Sequence, residues 1–150
     1  MDFPQCTEET QKRKITIKDP QSKNSKSEVL LENPQGTTIK IIQIDGCVIK
    51  GSKQMRCDRL VIIPNQELIF IELKGKKIDQ AFKQLLATLT YIYQACSSTQ
   101  NYRITGIIAC TRCPLAATDI QNLKAKFRKQ CHGKLLIQSG SVPYSLQGNL

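Results

Sequence analysis

Apolar positions in residues 57–77, "CDRLVIIPNQELIFIELKGKK", fall into two runs, Leu60–Ile63 and Leu68–Ile71. Pro64, Asn65 and Gln66 lie between them, so the segment predicts a β-hairpin. Upstream, "TTIKIIQIDGCVIKG" places β-branched runs on both sides of Asp45-Gly46. That dipeptide is favoured in a two-residue type I′ turn, and a second hairpin is expected there. "EVLLE" (28–32) fits a helix start capped by Ser25 and Glu28, or a strand before Asn33-Pro34; the strand is preferred.

After Gly75 the period changes. Ile78, Phe82, Leu85, Leu89, Ile92 and Cys96 step by four, three, four, three and four, the stripe of a helix over about 76–96. "YRITGIIAC" reads as a strand. A second helix is expected over about 116–130, with Ala116, Ile120, Leu123 and Phe127 inward, and then a short strand "GKLLIQS". A β-meander followed by helix, strand, helix, strand predicts an α/β (α+β) fold: a mixed sheet with two flanking helices. Residues 1–27 are polar and read as a flexible basic arm, save a short strand at "KITIK". Residues 28–150 read as one domain.

Composition narrows the function. With 150 residues and 40% hydrophobic content, the chain suits a single core. Its formal charge of +10 attracts polyanions, above all the phosphate backbone of nucleic acid. No apolar run has the length of a signal peptide or a membrane span, so no membrane role and a cytoplasmic location are expected. The seven cysteines, an odd number without a spacing repeat, read as reduced thiols. His132 is the only histidine, which argues against catalysis built on serine–histidine or cysteine–histidine pairs. Cys110, Cys113, Cys131 and His132 have some flavour of a zinc site, but Cys110 ends an apolar strand, and incidental thiols are preferred.

The candidate chemistry lies at the foot of the 57–77 hairpin. Side chains alternate, so Glu72 and Lys74 share one face. A three-residue loop would set Ile63 opposite Glu67 and Asp58 opposite Glu72; a two- or four-residue loop would set Asp58 opposite Leu73. Opposed carboxylates repel unless a cation lies between them. Mg²⁺, with Mn²⁺ as a substitute, takes one or two carboxylates with waters and phosphate oxygens. Lys74 would add a fixed positive charge to orient a water or to stabilise the phosphate.

Asp58, thirteen residues and then Glu72-Leu73-Lys74 resembles the PD-(D/E)XK nuclease superfamily, which includes many restriction enzymes and Holliday-junction resolvases. "IDGCVI", "CDRLVI", "IFIELKG" and "AFKQLLAT" resemble its small, little-characterised members, over roughly residues 28–138. The resemblance implies a restriction-endonuclease-like core and metal-dependent cleavage of DNA. It implies Asp58, Glu72 and the Leu73 carbonyl as metal ligands, Lys74 as the catalytic lysine and Gln84 near the site. Cys57 replaces the family's proline, and Glu28 or Glu32 would have to stand for the acid of its first helix.

Lys124, Lys126, Arg128, Lys129 and Lys134 form a basic cluster, with Lys76, Lys77 and Lys83 at the other helix. Lys76, Lys77, Lys83, Lys124, Arg128 and Lys129 are expected to grip DNA phosphates. No run of aromatics suggests base stacking, so backbone recognition is expected. One site cuts one strand; cutting both requires a homodimer or larger assembly. The alternative is an inactive nuclease-fold module that binds nucleic acid or a protein.

Overall fold

A computed structural model describes residues 3–19, 27–73, 77–112 and 116–146. The strands are β1 (Thr7–Thr10), β2 (Lys14–Lys18), β3 (Glu28–Glu32), β4 (Ile39–Gln43), β5 (Arg59–Ile63), β6 (Glu67–Leu73), β7 (Arg103–Cys110), β8 (Lys134–Ser139) and β9 (Ser141–Ser145). Helix α1 (Ile78–Ala95) follows β6, and α2 (Ala117–Cys131) follows β7. The fold is α+β with mixed sheets. A six-stranded sheet runs β1-β4-β5-β6-β7-β8, and a three-stranded sheet runs β2-β3-β9.

Pairing in the large sheet is antiparallel from β1 to β6 and parallel from β6 to β8. The change comes where α1 and α2 supply the long crossovers that parallel neighbours need. Leu68 and Phe70 pack with Phe82, Leu85 and Phe127 beneath the helices. Ile69, Ile71 and Leu73 pack with Ile17, Val29, Leu31 and Val142 of the small sheet. All of β6 is buried, because both its faces are covered, and this explains its unbroken apolar run.

At Gly106, on β7, side chains from both helices and from β8 crowd the sheet. A Cβ there would lie 3.0 Å from Leu85 Cδ1, 3.0 Å from Phe127 Cζ and 3.1 Å from Leu135 Cδ1. Gly106→Ala is therefore expected to destabilise by about 1–3 kcal/mol, the usual effect of overpacking a core. Urea unfolding measures it; an unchanged midpoint would mean that the three side chains yield freely.

Several expectations are corrected. The flexible arm gives way over residues 4–18 to a 3₁₀ turn (Pro4–Cys6) and two paired strands. β1 is a polar edge strand on β4, and charge is common at sheet edges. β2 pairs with β3 and buries Ile17. The Asp45-Gly46 hairpin does not form, since β4 pairs with β1 and β5 instead. Residues 44–49 curl back on themselves, with the Ile49 N–H bonded to the Ile44 carbonyl at 2.9 Å and Gly46 at φ +81°. Ile44 and Ile49 are both buried, so the apolar residues that suggested a strand anchor a loop.

The expectation of reduced thiols is corrected as well. Cys6 and Cys47 form a disulfide with Cα atoms 5.7 Å apart, tying the first 3₁₀ turn to the curl. Cys110 is disulfide-bonded too, which removes it from the zinc reading. Cys57, Cys96 and Cys131 are free thiols. Ala116, expected inward, is exposed just ahead of α2, while Leu123 and Phe127 are buried. Among the described residues, no helix is long and apolar enough to cross a membrane.

Candidate active site

The hairpin turns through Pro64-Asn65-Gln66. Asn65 adopts φ 60°, and the Gln66 N–H reaches the Ile63 carbonyl at 3.0 Å. This three-residue loop sets Ile63 opposite Glu67 and Arg59 opposite Ile71. The ladder ends at the Arg59–Ile71 pair, one residue short of an Asp58–Glu72 pair.

Asp58 is fixed from several sides. Its N–H donates to the Ile71 carbonyl at 3.0 Å, and its own carbonyl accepts the Ile44 N–H at 3.1 Å. Its Oδ2 accepts the Leu73 N–H at 2.7 Å, so the carboxylate is held against the peptide that joins Glu72 to Leu73. Next door, the Cys57 N–H donates to Thr88 Oγ1 at 2.7 Å, and that hydroxyl donates to the Gln84 carbonyl at 2.9 Å. Helix α1 thus pins the start of β5, with Thr88 fully buried.

Asp58 is 7% exposed and Glu72 2%. By alternation Glu72 lies on the helix face, with Leu68 and Phe70. Burial pushes the Cys57 thiol far above its ordinary range; the Thr88 hydroxyl opposes this, and the charges of Glu72 and Asp58 push it further. One buried thiol therefore lies in the field of both carboxylates and stays inert as a nucleophile.

Other expected members are placed as follows. Lys74 and Lys76 lie outside the described residues. Leu73 ends β6, and its N–H, rather than its carbonyl, is what meets Asp58. Gln84 is half-buried on α1 and meets the site's scaffold through its backbone carbonyl. Asp45 serves the curl, its carboxylate 3.0 Å from Arg56 Nε. Glu28 and Glu32 sit on β3, across the large sheet from the face that carries Glu72. A hydrogen bond from Ser141, then Lys18 at 3.3 Å, hold the Glu28 carboxyl below its usual range. Neither acid joins Asp58 and Glu72. Among the described residues no three His, Cys, Asp or Glu side chains gather as a metal site, so a cation would rest on the Asp58–Glu72 pair with waters.

Lys77, Lys83, Arg128 and Lys129 are exposed and Lys124 is half-buried. Lys124 and Arg128, four apart, share one side of α2. Arg128 and Lys129 also stand in its last turn, where positive charge complements the helix dipole.

A second polar cluster escaped the sequence reading. Glu67, 2% exposed, opens β6 on the face of Ile69, Ile71 and Leu73; an acid heading an apolar face was the available signal. Its Oε2 accepts from Thr105 Oγ1 at 2.5 Å and from the Tyr144 hydroxyl, and its Oε1 lies 3.3 Å from Arg103 Nη2. Tyr144, on β9, thereby links the two sheets. Burial, then the bond to Glu67, raise the Tyr144 hydroxyl to about 12 from 10.0. Between pH 10 and 12 the unfolded phenol has lost its proton while the folded one keeps it, so stability falls as pH rises through that window. Denaturant midpoints are expected to drop more steeply there for wild type than for Tyr144→Phe; parallel curves would refute the assignment.

No family model matches the chain, and no curated protein or solved structure matches it either.

Proposed function

We propose that the protein is a metal-dependent nuclease that hydrolyses phosphodiester bonds of DNA on a restriction-endonuclease-like core. The observation that supports this reading is that the carboxylate of buried Asp58 rests on the peptide after buried Glu72, its Oδ2 2.7 Å from the Leu73 N–H, just ahead of α1. Carboxylates in that relation suit a hard divalent cation, Mg²⁺ or Mn²⁺, and the small donor set leaves room for water and phosphate oxygens. When bound, the cation would supply Lewis-acid stabilisation of the phosphate and acidify a water. Asp58 and Glu72 would hold it, with the Leu73 carbonyl as the further oxygen. Asp58 is oriented for this by the Leu73 N–H and by the backbone bonds that lock residue 58. Lys74, two residues beyond Glu72, is assigned the positive charge that meets the reacting phosphate.

Lys77, Lys83, Lys124, Arg128 and Lys129, with Lys76, would draw in the DNA backbone, and a homodimer or larger assembly would be needed to cut both strands. The cytoplasmic location belongs to this reading on one condition: in a reducing cytoplasm the Cys6–Cys47 pair would stand as thiols. A second reading is an inactive module that binds nucleic acid or a partner. It is favoured by the lack of a third donor beside Asp58 and Glu72 among the described residues.

The deciding experiment offers purified protein single-stranded, duplex and branched DNA with Mg²⁺ or Mn²⁺. Cleavage is expected, together with its loss on chelation. Lys74→Ala should stop cleavage while calorimetry still records metal binding, since an ammonium does not ligate a cation. Protein that neither cuts nor binds metal ends the nuclease reading; DNA binding that survives alone supports the module.

A further inference from the structure

We propose that the cleft where β6, β7 and β8 begin is a nucleotide pocket. It would take a nucleoside monophosphate with its base against tyrosine rings, its phosphate on Arg103 and Lys134, and a base amino group or sugar hydroxyl on Glu67. This goes beyond the nuclease reading and does not rest on it. Glu67 stands five residues before Glu72 on β6, so the cleft is about 17 Å from the acid pair at 3.3 Å per residue.

The cleft has a volume of about 470 Å³, within the usual range of small-molecule sites. Its lining combines three kinds of group. Glu67, Thr105 and Tyr144 form a hydrogen-bonded floor whose carboxylate is 3% exposed at the side chain. A carboxylate oxygen accepts about two hydrogen bonds, and among the described residues Oε1 carries the long contact from Arg103 alone, so it has capacity for a ligand donor. Arg103, with a side chain 56% exposed, and the exposed Lys134, in register with Thr105 on the neighbouring strand, bring two positive charges to one negative. That balance suits an anion that also donates hydrogen bonds. Tyr93, Tyr102 and Tyr144 complete the lining, and aromatic faces stack on bases. The Tyr102 hydroxyl accepts the Asn65 N–H at 3.0 Å, which ties its ring to the hairpin turn. An anion, a flat ring and a hydrogen-bond donor together describe a nucleotide, whether free or as a unit of a strand.

Intrinsic fluorescence reports on the site, because three of the protein's four tyrosines line the cleft and there is no tryptophan. The full chain is titrated with the common nucleoside monophosphates, a nucleoside, inorganic phosphate and a short single-stranded oligonucleotide. Saturable quenching by at least one monophosphate, tighter than by nucleoside or phosphate, is expected if the free nucleotide is the source. Quenching by the oligonucleotide alone would assign the site to a strand. In either case the double variant Arg103→Ala/Lys134→Ala should weaken binding at least tenfold. Both side chains are exposed, and melting curves confirm its folding. Glu67→Gln should change the ranking among bases, and Glu72→Gln should leave nucleotide binding unchanged whatever it does to cleavage. Equal binding of inorganic phosphate and nucleotide, or full affinity in the double variant, would overturn the proposal. So would a protein whose tyrosine emission responds to none of these ligands.

Discussion

Glu72→Gln is expected to lower Mg²⁺-dependent cleavage on the order of 10³-fold or more, the loss that follows when several kcal/mol of transition-state stabilisation disappears. The change keeps the side chain's size but replaces an anionic oxygen donor with a neutral amide. Asp58 should lose cleavage equally, yet its two substitutions should part company in stability. In Asp58→Ala the buried Leu73 N–H loses its acceptor at 2.7 Å. An unsatisfied buried donor costs about 1–3 kcal/mol. Asp58→Asn keeps an oxygen for that N–H and relieves the repulsion from Glu72, so its unfolding midpoint should stay near or above that of wild type. Normal cleavage in Glu72→Gln would remove this residue from the chemistry. An asparagine variant as unstable as the alanine one would show that the charge of Asp58, and not its oxygen, holds the hairpin foot.

Deletion of residues 1–18 should be the most damaging change to stability. It removes two strands, the buried Ile17 and the Cys6–Cys47 bridge. The bridge joins positions 41 apart in sequence. On the chain-entropy account, closing such a loop stabilises by about 4 kcal/mol. A domain of this size is stable by only about 5–15 kcal/mol in all. The truncated chain should lose cooperative melting or melt at least roughly 10 °C lower. Reduction of the intact chain should produce only part of that shift. A truncation that melts within a few degrees of wild type would mean that β1 and β2 add little.

What the sequence made legible was local. The β5–β6 hairpin, α1, α2 and β7 each carry their own period, and the three-residue loop fixed a register that had been one of two alternatives. The strands that escaped are short and polar, or are paired by distant chain. "TEET" in β1 has no apolar alternation, because an edge strand buries little. "SVPYS" in β9 carries a proline and pairs in parallel with β3, far away in sequence. The Asp45-Gly46 signal was local and true as a turn, but burial of Ile44 and Ile49 overrode the strand on its far side. At the site, the nearness of Asp58 to the end of β6 could be reasoned from spacing. The grip of Thr88 on Cys57 and the cluster around Glu67 could not, because both join elements whose closeness depends on the finished fold.

The pairing of β3 with β9 bears on how the protein is made. Ser141 Oγ bonds to Glu28 Oε1 across 113 residues of chain. At about 5–20 residues per second of synthesis, β3 leaves the ribosome roughly 6–23 s before its parallel partner exists. Through that interval β2 covers one edge of β3, while the other stands open. Nascent chains stalled just before residue 140 should therefore be the ones that engage chaperones or stick to each other most readily, and those released past β9 the least.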